Sequence, residues 1–82
     1  MADPSPLSGM VGALARGLVD HPERVEVTEE GDAEGRVISL YVAEEDLGQV
    51  IGRGGRIARA MRVILRSAST ARGERASLEI VD

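Results

Sequence analysis

A four-residue turn, Gly52-Arg53-Gly54-Gly55, separates two stretches whose apolar residues recur at helical spacing, so the chain must fold with two helices meeting at a sharp bend. Upstream of the turn, Leu47, Val50 and Ile51 fall at i, i+3 and i+4. Downstream, Ile57, Met61, Ile64, Leu65 and Ala68 mark one side of a helix expected from about Gly55 to Thr70. Glycine has no Cβ, so the main chain can turn tightly here and a ligand's sugar-phosphate can come close to bare N–H groups. The first turn of the second helix offers further unpaired N–H groups at the positive end of its dipole. Arg53 and Arg56 add full charges, which makes this the part of the chain suited to an anionic backbone.

The flanking segments give the rest of the order. Ser5-Pro6 offers an N-cap and a first-position proline to a helix with Leu7, Met10, Val11, Leu14 and Leu18 on one face. Gly9, Gly12 and Gly17 weaken that helix, so it depends on packing, and His21-Pro22 ends it. The alternation over Arg24 to Glu29 predicts a half-buried strand, and Arg36 to Val42 predicts a more buried one, with Glu30 to Gly35 as an acidic turn between them. Glu44, Glu45 and Asp46 sit where a helix dipole favours negative charge, in the first turn of the helix before the glycines. After a polar connection from Ala71 to Arg75, Ala76 to Val81 closes the chain as a third strand. The expected fold is α+β, in the order αββααβ: a three-stranded sheet with three helices on one face.

Composition narrows the class. Eighty-two residues with 43% hydrophobic content support one modest core, and with one Tyr, no Phe and no Trp that core is aliphatic. Tyr41 is the one aromatic side chain that could stack on a base, and it could equally be packed. There is no cysteine, hence no disulfide and no thiolate metal site. No apolar run approaches the ~20 residues of a membrane span, and Met1 to Pro6 lacks the form of a signal peptide, so a cytoplasmic protein is expected. One domain over residues 1–82 is expected, with 1–5 as a flexible lead.

Charge is divided along the chain. Met1 to Gly52 carries three Arg against eleven acids, whereas Arg53 to Arg75 carries seven Arg against Glu74 alone. The net charge of −4 therefore conceals a basic segment, and over a Debye length of ~8 Å a phosphate responds to the local surface. Arg59, Arg62 and Arg66 project opposite the apolar face of the last helix, a pattern that fits phosphate contact and also fits any solvated helix.

Val50-Ile51-Gly52-Arg53-Gly54-Gly55-Arg56-Ile57 resembles the Ile-Gly-x-x-Gly-x-x-Ile core of the KH domain, and the element order is similar to its bacterial, type II form. At this length the chain looks like the small, KhpA-like single-KH RNA-binding proteins of bacteria. The resemblance covers roughly Leu7 to Val81. It implies a clamp on about four nucleotides of single-stranded RNA, with Val50, Ile51, Gly52, Arg53, Gly54, Gly55, Arg56, Ile57 and Arg59 as the binding residues. Val50, Ile51 and Ile57 match positions that lie beneath bases, Ile57 fitting the core equally well. The resemblance also implies a groove whose second wall is the strand at Val37 to Val42 with the loop at Glu30 to Gly35. A role as post-transcriptional regulator or RNA chaperone follows, with no cofactor, metal or small-molecule substrate.

Relatives of this kind pair with themselves or with a second KH protein, and Val63, an aliphatic residue near the arginine side, fits a covered surface. Two other readings stay open: a helix-turn-helix DNA binder, and a protein interaction or oligomerisation module. An enzyme is not expected, for the chain offers one histidine beside a proline, no Walker-type lysine and no nucleophile with an adjacent base.

Overall fold

The computed structural model describes residues 5–32 and 34–82; the lead at residues 1–4 and Ala33 in the acidic turn lie outside the described residues. Helix α1 spans Pro6–Leu18, its first turn capped by Ser5, whose Oγ accepts the Ser8 N–H at 3.2 Å. Strands β1 (Glu26–Asp32) and β2 (Gly35–Tyr41) follow, then a short helix α2 (Leu47–Ile51), the glycine turn, helix α3 (Arg56–Ala71) and strand β3 (Ala76–Ile80). The predicted order holds throughout. The three helices lie on one face of a mixed sheet ordered β1-β2-β3, with β1 antiparallel and β3 parallel to the central β2.

Several boundaries differ from the expected ones, those of β1 among the most. Strand β1 starts at Glu26 instead of Arg24 and runs to Asp32, opposite Gly35, so most of the expected acidic turn is paired strand. Cross-strand pairing outweighs the low strand preference of Glu30-Gly31-Asp32, as pairing context commonly does. Arg24 instead closes a 3-10 turn over Pro22–Arg24, its N–H bonded to the His21 carbonyl at 2.9 Å.

The core is aliphatic, as composition required. Leu7, Val11 and Ala15 from α1 meet Ile38 and Leu40 from β2, Met61 and Leu65 from α3, and Leu78 from β3. At Gly12 a Cβ would meet the flexible end of Arg16, with Nη1 2.9 Å away, and would stand at contact distance, 3.4 Å, from Val27 Cγ2 on the sheet. At Gly9 and Gly17 the same atom would meet nothing within 4 Å.

Asp46 departs most from its expected role. The sequence placed it with Glu44 and Glu45 as a first-turn charge favoured by the helix dipole, but the three form a 3-10 turn ahead of α2, and Asp46 is 1% exposed with no cap bond of its own. Its Oδ2 accepts from the His21 backbone N–H and the His21 Nδ1, each at 3.0 Å. A buried carboxylate thus ties the connection after α1 to the root of α2. Burial alone would raise the Asp46 carboxyl, but the His21 ring, the N–H groups of His21 and Asp20 and the imidazolium charge hold it below its ordinary 3.8. The hydrogen bond to Asp46 raises His21 above 6.5 against a smaller desolvation effect, with Glu45 and Glu23 adding to the rise.

These shifts fix the pH dependence. The Asp46 contribution is present above pH 3.8 and is lost as pH falls through its depressed folded value. The His21 contribution is complete below pH 6.5 and is lost as pH rises through its elevated folded value. Melting temperatures measured across pH should therefore show the pair's full stabilisation between these limits, and His21→Ala should remove the decline on the alkaline side.

Candidate nucleic-acid interface

Helix α2 ends where the Gly52 N–H bonds to the Gly48 carbonyl at 2.9 Å, and Gly52 then takes φ 76° and ψ 168°, a region that essentially only glycine occupies. A Cβ on Gly52 would lie 2.7 Å from Ile57 Cγ1 and 2.9 Å from the Ile57 nitrogen. Gly52 is thus demanded twice, by its backbone angles and by the close approach of α3. The Gly55 N–H returns to the Gly52 carbonyl at 3.0 Å and closes the turn, with Gly54 and Gly55 both in the left-handed region.

Arg53 and Gly54 form the exposed tip. Among the described residues, neither the Arg53 nor the Arg56 guanidinium has a hydrogen-bond or ion-pair partner. Beneath them Val50 is fully buried, so any part it plays is to set the turn from below; Ile51 is 38% exposed and Ile57 is half-buried against the core. The sequence reading grouped these three apolar residues, and the structure assigns them three different depths.

A shallow groove opens beside the turn, lined by Ile51, Gly55, Ala58, Arg59, Arg62 and Ile80. Its second wall is β3, not the Val37–Val42 strand and the hairpin expected from resemblance. The reason is topological. Both edges of β2 are occupied by its neighbours, whereas among the described residues β3 pairs on one edge alone and packs against α3. Because the Arg75 carbonyl and the Val81 N–H point to β2, the intervening Leu78 carbonyl points outward, where it accepts from Arg62 Nε at 3.4 Å. Ile80 shares that outward parity. No signal in the primary sequence marked Ile80 as a groove residue, since its alternation is that of any half-buried strand.

The arginines of α3 also part company. Arg59 Nη2 donates to the Gly54 carbonyl at 3.3 Å, Arg62 turns to β3, and Arg66 lines a separate depression near the β1–β2 hairpin with Arg36, Arg75 and Glu74. In that depression Glu74 is paired with Arg36 and Arg72. Tyr41 lies on the open face of the sheet opposite Glu26, outside the groove lining. That open face also carries the exposed Glu30 and Glu79, so the acids crowd the side away from the helices.

The turn geometry separates its glycines by tolerance. Gly52→Ala should cost roughly 2–3 kcal/mol, combining a disallowed backbone region with overlap on Ile57. Gly54→Ala, with nothing within 4 Å of its added Cβ, should cost only the ~1–2 kcal/mol of a left-handed alanine. Urea denaturation of the two variants checks the order.

A family model described as KhpA/KhpB, KH domain, matches residues 9–80. A Treponema pallidum protein named RNA-binding protein KhpA is 44% identical over 73 residues, covering 89% of this chain and 91% of its own length. The Streptomyces coelicolor protein of the same name is 45% identical over 69 residues, 84% of this chain and 86% of its own. The crystal structure of Aquifex aeolicus Era with bound GDP and aluminium fluoride superposes with a TM-score of 0.63 at 22% identity, over 98% of this chain and 32% of that one, a likeness of fold. No helix among the described residues is long and apolar enough to cross a membrane.

Proposed function

The chain belongs to the KhpA/KhpB family of KH domains, and on that premise we propose that it binds single-stranded RNA through the glycine turn and the adjoining groove. The observation that carries this reading is the pairing of an exposed Arg53-Gly54 tip, whose Arg53 and the nearby Arg56 have no partner among the described residues, with an apolar groove floor at Ile51, Ala58 and Ile80. A sugar-phosphate backbone would rest on the turn while bases lie over that floor. The outward-facing main chain of Leu78 and Ile80 would offer hydrogen bonds to base edges.

The whole chain acts as one binding module without chemistry of its own, in cytoplasmic RNA regulation or chaperoning. A helix-turn-helix reading loses ground on geometry. Helix α2 has five residues, and Arg59 and Arg62 fold back onto the protein instead of projecting toward a major groove.

Short unstructured RNA should therefore bind more tightly than duplex DNA of equal length. Its affinity should fall with salt at a log–log slope of about −0.7 per phosphate neutralised. Fluorescence anisotropy measures both, and tighter duplex binding would reject the proposal. Arg53→Asp combined with Gly54→Asp should abolish RNA binding with the circular dichroism spectrum unchanged, because both positions are exposed and an added Gly54 Cβ meets open space.

A single domain holding about four nucleotides binds weakly, and pairing raises avidity through effective concentration. An apolar groove between α1 and α3 supplies a face for a second KH domain: Leu14, Leu18, Met61 and Ile64 line it, with Leu18 37% and Ile64 43% exposed. Its spacing puts Ile64 on the apolar side of α3. Its exposure, together with 53% for the adjacent Val63, supports a contact surface. Sedimentation over a wide concentration range should show self-association or capture of a second KH protein, and Ile64→Asp should abolish it while leaving the melting temperature nearly unchanged.

A further inference from the structure

Arg59 was expected among the RNA ligands, yet its guanidinium is already engaged. It stands one turn inside α3, exposed, with Nη2 3.3 Å from the Gly54 carbonyl and 4.0 Å from the point where a Gly55 Cβ would lie. The side chain therefore arches back over the outer side of the turn. Gly54 is the residue that needs such a restraint. It lacks a side chain, occupies φ 65° and ψ 15°, and has no atom within 4 Å of its would-be Cβ, so nothing in the packing holds it. Neighbouring glycines leave the segment with more conformational freedom to lose on binding than any other stretch of four residues would have. Arg62, next along the same side of α3, is fixed on β3 and cannot serve in its place.

We infer that Arg59 is a positioning residue of the RNA site: it latches the Gly54 peptide to α3 and keeps the glycine turn in its receiving conformation, instead of neutralising a phosphate itself. The inference rests on the reading that this turn holds RNA. A latch and a ligand differ in what salt reveals. Removing a cation that neutralises one phosphate makes the log–log salt dependence shallower by about 0.7, whereas removing a latch weakens binding at every salt concentration and leaves the slope alone.

The test compares wild type, Arg59→Ala, Arg53→Ala and Arg59→Ala with Gly54→Asn, using a short unstructured RNA across a salt series, together with ¹⁵N order parameters of the free proteins. Arg59→Ala should lose about threefold to tenfold in affinity, the range of one net hydrogen bond, at unchanged slope. Its Gly54 and Gly55 order parameters should fall from the rigid range near about 0.85 toward about 0.6. Arg53→Ala should make the slope shallower by about 0.7. Asparagine tolerates the left-handed region and fits the open space at Gly54 in the free protein, so the double variant should regain part of the order.

A slope made shallower by Arg59→Ala would overturn the inference in favour of direct phosphate contact. Unchanged affinity with unchanged order parameters would overturn it in favour of a merely solvated arginine. Absence of RNA binding by the wild-type chain would reject the RNA reading itself, an outcome distinct from loss of the latch, which the order parameters report without RNA.

Discussion

The register of β2 is the constraint on which the molecule depends. Ile38 and Leu40 are fully buried beneath the helices, while Val37, Ser39 and Tyr41 face the opposite way. A slip of one residue would exchange these sets, burying a serine and exposing the two largest aliphatic contacts of the sheet. Because β2 pairs on both edges, its register also places β3, and β3 carries Ile80 into the groove beside the glycine turn. The candidate site thus inherits its second wall from a strand buried elsewhere.

Electrostatics follows the same two-sided plan. The open sheet face presents Glu26, Glu30 and Glu79, whereas Arg53, Arg56, Arg59 and Arg62 gather around the turn and the β3 edge. A net charge of −4 is consequently compatible with an anionic ligand, since screening over ~8 Å isolates one surface from the other. The acidic remainder would disfavour loose association with nucleic acid at the open sheet face.

Element order and the glycine turn were legible because each rests on local chemistry: apolar spacing at 3.6 or 2, a capping serine before a proline, glycines where φ must be positive. Asp46 was not legible. Its neighbours Glu44 and Glu45 make it look like one of three dipole charges, and only the return of His21 to the same spot, twenty-five residues earlier in the chain, turns it into a buried acceptor. Ile80 escaped for the same reason, since a groove wall made by parallel pairing depends on which edge of the sheet is free. Ile64 belongs to the apolar side of α3 by spacing, and spacing cannot distinguish the centre of such a face from its border, where Ile64 is 43% exposed.

That border matters for how α3 is used. Ala58, Met61 and Leu65 face the core, Arg59 and Arg62 face the groove, and Ile57 and Ile64 face the apolar channel shared with α1. Arg56 belongs to both the turn and that channel. A partner seated in the channel would therefore lie against the first turn of α3, adjacent to the exposed Arg53-Gly54 tip. It would stiffen the end of the helix from which Arg59 reaches back to Gly54. Pairing and RNA contact would then be coupled through a single helix terminus, with ordering entropy as the shared quantity: whichever ligand fixes the turn first reduces what the second must lose.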